Sequence, residues 1–176
     1  MTYNTNPSWI VTLKDANGNA LKNTAVSVLI NGKTKILTTN DQGQIKIATS
    51  GLAPKSYSVK ISFTENGTHY AVAKSVKLTI KKATVKVTAK AKTFKVKVKT
   101  KKYTITLKNN VNKVMKNTKV TLKVNGKTYT AKTNSKGQAT FKITKLTKKG
   151  KYNAVIKYAG SSYYNKLSKT VKITAK

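Results

Sequence analysis

Apolar residues recur at every second position along most of this chain. Ile105 and Leu107 alternate with Thr104, Thr106 and Lys108, and Val120, Leu122 and Val124 alternate with Thr121 and Lys123. Ala139, Phe141 and Ile143 alternate with Thr140 and Lys142; Tyr152, Ala154, Ile156 and Tyr158 repeat the pattern, and Val171 and Ile173 close it. A period of two is the mark of a strand with one buried face. The polar positions are mostly Lys and Thr, so each sheet is expected to bury one side only, as in a two-layer antiparallel sandwich. Asn31-Gly32 and Asn125-Gly126 fall between such runs and supply the positive φ angles of a tight hairpin. Asn40-x-x-Gly43 and Asn134-x-x-Gly137 suit type I turns closed by a left-handed glycine. Turns recurring every ~8–12 residues predict about seven short strands per domain, the Ig-like pattern. The Cys and Trp core of antibody domains is absent.

The chain also repeats itself. Residues 9–47 align with 103–141 without a gap, and 15 of those 39 positions are identical. Lys22-Asn23-Thr24 recurs as Lys116-Asn117-Thr118, and Thr39-Asn40-x-x-Gly43-Gln44 recurs as Thr133-Asn134-x-x-Gly137-Gln138. Two tandem Ig-like domains are therefore predicted, 1–82 and 83–176. The copies differ at their starts. Before Tyr103 lie Thr84–Thr88 and Phe94–Val98, enough for one or two opening strands, whereas eight residues precede Trp9. Domain 1 is expected to lack its first strand, either in nature or at the boundary of an excised fragment, and to be the less stable.

The combination of Thr-x-x-Leu-Lys, Lys-Asn-Thr-x-Val, Asn-Gly-Lys-Thr, Thr-Asn-x-x-Gly-Gln and Gly-x-Tyr resembles the Ig-like repeats of adhesin-like surface proteins of methanogenic archaea. It is also similar to the repeats of bacterial invasin-type stalks. The resemblance is strongest from Lys116 to Tyr164 and weaker over 9–82, where Lys55-Ser56-Tyr57 lacks the glycine of Gly-x-Tyr. It implies cell-surface display, attachment to other cells or to wall polymers, and repeat modules in which the chain is a monomeric piece of a larger protein. The fold by itself implies none of this, because Ig-like domains host many roles.

Charge sharpens the reading. All 37 basic residues are Lys, against three acids (Asp15, Asp41 and Glu65), for a net +34. Residues 1–82 carry eleven Lys and every acid, hence +8; residues 83–176 carry 26 Lys and no acid, hence +26. Such a field favours polyanions such as anionic wall polymers, acidic glycans, lipid headgroups or nucleic acid, and the resemblance adds cell-surface polymers and partner-cell surface proteins. Lys86, Lys90, Lys92, Lys95, Lys97, Lys99, Lys101 and Lys102 form a ladder. A strand over 94–99 would set its lysines on one face, which makes Lys95, Lys97, Lys99, Lys101 and Lys102 the candidate polyanion contacts. Tyr158, Tyr163 and Tyr164 form a candidate loop for stacking on sugars, with packing over the sandwich end as the competing role. Asn66-Gly67-Thr68 is the one glycosylation sequon.

Catalysis is not expected. One His, no Cys and three scattered acids build neither a triad, a carboxylate pair nor a metal cluster, so no cofactor is expected. A Lys–Asn crosslink needs a nearby carboxylate, which domain 2 lacks; in domain 1 Glu65 could serve. Specific nucleic-acid reading is not expected without Arg, although lysines alone give salt-sensitive binding to any polyanion. The alternatives to adhesion are that generic binding and an inert spacer. No apolar run spans a membrane. The N-terminus lacks the regions of a signal peptide, so an extracellular location is expected only for an excised fragment.

Overall fold

The computed structural model describes residues 1–63 and 71–176, and every regular element among them is a β-strand. The chain divides into two compact units, Met1–Lys81 and Lys82–Lys176.

Unit 2 contains β7 (Val85–Thr88), β8 (Lys92–Phe94), β9 (Lys101–Asn109), β10 (Lys119–Val124), β11 (Lys127–Lys132), β12 (Gln138–Ile143), β13 (Gly150–Tyr158) and β14 (Leu167–Ala175). They form a three-stranded sheet, β12-β9-β7, and a five-stranded sheet, β11-β10-β13-β14-β8. All pairings are antiparallel except β8, which runs parallel to the end of β14. The inward faces meet in one core. It takes Val85, Val87, Tyr103, Ile105, Leu107 and Phe141 from the first sheet, and Leu122, Ile156 and Ile173 from the second. This is an Ig-like antiparallel sandwich.

Unit 1 is built the same way from β1 (Ser8–Thr12), β2 (Ala25–Ile30), β3 (Lys33–Thr38), β4 (Gln44–Ala48), β5 (Ser56–Phe63) and β6 (Val72–Thr79). Its sheets are β1-β4 and β3-β2-β5-β6, closed over Val26, Val28, Ile45, Ile47, Val59, Ile61 and Leu78. The described strands thus number six and eight in the two units, rather than seven in each.

The repeated motifs are the joints of the fold. In each copy a buried threonine ties two turns together: Thr24 N–H donates to Thr39 Oγ1 at 2.9 Å, and Thr118 N–H donates to Thr133 Oγ1 at 2.8 Å. The following asparagine shapes the next turn, its Oδ1 accepting from the amides two and four residues on, at Asn40 and at Asn134. Gly43 and Gly137 close those turns at φ 70° and 72°, and a Cβ on either would lie 2.5 or 2.8 Å from the carbonyl oxygen of Leu13 or Leu107. Only glycine meets both demands. The Asn31-Gly32 and Asn125-Gly126 hairpins have positive φ at both residues, as their sequences predict.

The copies part company at β7. In unit 1, Met1–Tyr3 runs parallel to the end of the sheet, Tyr3 N–H donating to Lys81 O at 2.9 Å, just as Val96 N–H donates to Lys176 O at 2.8 Å. No described residue of unit 1 takes the place of β7. Burial follows: Tyr103, Ile105 and Leu107 of β9 are at most 1% exposed, whereas their counterparts Trp9, Val11 and Leu13 are only half-buried. Full burial of a valine side chain contributes about 1.5–3 kcal/mol, so Val85 and Val87 give unit 2 a stabilisation that unit 1 lacks. We expect unit 1 to unfold first. In a urea titration, fluorescence of Trp9, the sole tryptophan, should change at a lower midpoint than the amide resonances of β9 and β13.

Candidate polyanion-binding surface

The lysine ladder is not a strand stripe. After β8 ends at Phe94, residues 95–100 fold as a turn, and β9 begins at Lys101. That turn encloses the side chain of Lys101, the first residue of β9. It is 1% exposed, and its Nζ donates to the carbonyls of Val96 at 3.2 Å and Val98 at 2.6 Å. Lys101 shares its parity with Tyr103, Ile105 and Leu107, so the strand points it inward, and the turn wraps its carbonyls round the buried amine. Lys101 is therefore a structural residue and presents no charge to a ligand, contrary to the sequence expectation. Lys95, Lys97 and Lys99 are exposed on the turn. Lys102 is exposed on the outer face of β9, and its carbonyl accepts from Lys92 Nζ at 3.2 Å.

Strand register adds a feature that the one-dimensional pattern does not show. In unit 2 three pairs of lysines stand directly opposite one another: Lys102 and Lys142, Lys86 and Lys108, and Lys119 and Lys132. Like charges in such positions destabilise a sheet. Unit 1 has no opposed lysine pair in its described ladders. Beside the third pair lies a shallow depression of about 870 Å³, lined by Lys119, Thr121, Lys157, Gly160, Lys166 and Ser168. Sequence reasoning missed it. Lys119, Thr121 and Lys157 each have outward parity, but it takes the pairing of β10 with β13, with Thr121 opposite Lys157, to bring them together.

The tyrosine loop divides. Tyr158 is 6% exposed in the core and offers no ring face, a correction to the expected glycan contact. Tyr164 is half-buried against that core, and its hydroxyl accepts from Asn109 Nδ2 at 3.3 Å. Tyr163 alone is substantially exposed, at 42%. The neighbouring Ser161 Oγ accepts from the amides of Tyr163 and Tyr164 and holds the bend. Burial also pushes the Tyr103 hydroxyl pKa upward; that group donates to Lys90 O at 2.7 Å. Asn66 and Glu65 lie outside the described residues.

Among the described residues no three His, Cys, Asp or Glu side chains gather where they would hold a metal ion. The two described acids serve turns in unit 1: Asp15 Oδ1 accepts from the amides of Asn17 and Asn19, and Asp41 Oδ1 accepts from Asn23 Nδ2. No helix of the described residues is long and apolar enough to cross a membrane.

No family model and no curated protein sequence matches this chain. Among solved structures it is similar to invasin, a bacterial integrin-binding protein, with 18% identity and a TM-score of 0.49 over 95% of this chain and 35% of that one. It is also similar to the D0-D1 domain of intimin, with 20% identity and a TM-score of 0.32 over 95% and 89% of the two chains. A third likeness is to the fibronectin(III)-like modules of CbhA from Clostridium thermocellum, with 16% identity and a TM-score of 0.39 over 99% and 88%. Likenesses this distant assign neither an activity nor a partner.

The two kinds of lysine should separate on mutation. Lys101→Ala strands the Val96 and Val98 carbonyls and empties a packed site, so urea denaturation of unit 2 should show a loss of about 2 kcal/mol or more. Alanine at Lys95, Lys97 or Lys99 should change stability by less than about 0.5 kcal/mol each.

Proposed function

We propose that this chain is an extracellular, cell-surface adhesin-type Ig-like repeat module whose second domain holds anionic surface polymers through its lysines. The observation that carries the reading is the charge arrangement of residues 83–176: 26 lysines, no acid, and three lysine pairs placed face to face across strands. A domain that needed only solubility would intersperse both signs. Uniform lysine instead costs the folded state cross-strand repulsion, which an anionic polymer lying on the sheet relieves. Lysine ammonium groups are point charges without the fixed fork of arginine, so the surface suits dense, flexible polyanions better than a ligand of defined shape. The partners it fits are wall polymers and acidic glycans, reached by the exposed lysines of the 95–99 turn, by Lys102 and Lys142, and by the depression beside Lys119. The repeat motifs shared with archaeal adhesin-like proteins point the same way. Tyr163 is the one aromatic ring of its loop placed to rest on a sugar.

Binding to a panel of anionic wall polymers, acidic glycans and DNA at low and physiological salt tests the reading. We expect saturable binding to a wall polymer or glycan that persists at physiological salt. It should weaken at least about tenfold when Lys95, Lys97 and Lys99 are all changed to Glu. Equal binding of every polyanion at low salt, vanishing at physiological salt, would make the chain a spacer instead.

A second expectation separates function from stability. Lys142→Glu converts an opposed like-charge pair into an attractive one, so it should stabilise unit 2 by about 0.5 kcal/mol while weakening polymer binding. A variant in which both quantities fell would contradict this account of the lysine pairs.

A further inference from the structure

The two copies treat the gap between their sheets differently at the side where β3 and β4, or β11 and β12, form the edges. In unit 2, Tyr129 of β11 stands opposite Leu122, so it shares the inward face. Its ring packs against the core, and its hydroxyl accepts from the Lys145 amide at 3.0 Å. Lys145 lies just after β12, so this one side chain reaches from the larger sheet to the loop that follows a strand of the smaller one. Unit 1 has no aromatic residue at that register. The counterpart of Tyr129 is Lys35, which stands opposite Val28 and has the same inward parity.

A cleft of about 560 Å³ opens at this place in unit 1. Val28, Leu37, Ile47 and Leu52 give it an apolar lining, and Lys33, Lys35 and Lys46 stand around it. Leu52 is only half-buried, whereas its counterpart Leu146 is fully buried in unit 2. The counterpart of the Lys145 amide belongs to Gly51, which also lines the cleft and whose N–H meets no acceptor among the described residues. An inward lysine on an edge strand discourages edge pairing. That role accounts for Lys35 but not for the apolar lining left unfilled beside it. Apolar walls with a few polar groups at defined places are the make-up of a ligand site.

We propose that the cleft between β3 and β4 of unit 1 binds a tyrosine side chain presented by an acidic segment of a partner protein. The ring enters between Leu37 and Leu52, in the place that Tyr129 takes within unit 2, and its hydroxyl accepts from Gly51 N–H. Carboxylates flanking the tyrosine face Lys33, Lys35 and Lys46. Charge argues for an acidic segment, because three lysines surround the cleft and neither described acid of the unit lines it. The lining argues against a plain polyanion, which has no apolar group to bury there. The site lies in unit 1, goes beyond the lysine surface proposed above and uses none of its residues.

The test titrates the full chain at physiological salt with the peptide acetyl-Glu-Asp-Tyr-Asp-Glu-amide and follows amide resonances. Those of Gly51 and Leu37 should shift to saturation, whereas those of Lys145 and Ala131, at the matching place in unit 2, should not. A peptide with phenylalanine for tyrosine should bind about fivefold more weakly for want of the hydroxyl. One with alanine, equal in charge, should bind at least about tenfold more weakly. Lys35→Tyr copies Tyr129 into the cleft, so it should abolish the shifts at Gly51 and leave unit 1 unfolding at an equal or higher urea concentration. Lys35→Ala keeps the cleft open and should weaken binding only about threefold. The proposal is overturned if no saturation occurs below about 1 mM peptide, or if the alanine peptide binds as well as the tyrosine peptide. It is equally overturned if folded Lys35→Tyr binds as tightly as the unaltered chain. The peptide comparison needs no variant and decides the matter alone should Lys35→Tyr not fold. None of these readouts involves an anionic polymer or the lysines of unit 2, so failure here would leave the adhesive reading standing.

Discussion

A sheet with one apolar face must be covered by another such sheet, and everything else in this molecule is arranged around that requirement. The alternation along each strand sends Val, Ile, Leu and aromatic residues inward and Lys or Thr outward, so closure of two sheets produces the core of each unit and its charged exterior together. With burial of only about 60% of the chain surface in domains this small, each inward side chain matters. The turns then have to place strands in register. Motifs that recur in both copies, the buried threonine, the turn-shaping asparagine and the left-handed glycine, act on register rather than on the core.

Most of the fold could be read from the chain because period two is a one-dimensional signal. Ile105, Leu107, Val120, Leu122, Phe141 and Ile156 are buried where alternation puts them. The misplaced residues obey the same rule. Lys101 keeps step with Tyr103, and Tyr158 keeps step with Ala154 and Ile156, so parity marks both as inward; residue type suggested otherwise. A lysine can follow parity into the core because its long stem reaches carbonyls that need a donor. The features that stayed out of reach depend on which strands become neighbours. The opposed lysine pairs and the depression between β10 and β13 arise from pairing across the sheet, and alternation along one strand carries no record of its partner.

The two copies show how a shared plan yields different surfaces. Unit 2 closes its β9 edge with β7, buries Tyr103, Ile105 and Leu107, and carries lysines across both outer sheet faces. Unit 1 leaves the matching edge without a described strand, holds both described acids in its turns, and sets its lysines apart from one another in the ladders. A covered edge tolerates like-charge crowding because the core is complete. A domain with a half-buried Trp9 and Val11 has less stability to spend on such repulsion. Lysine content and burial of the β1/β9 face therefore rise together from the first unit to the second in this chain.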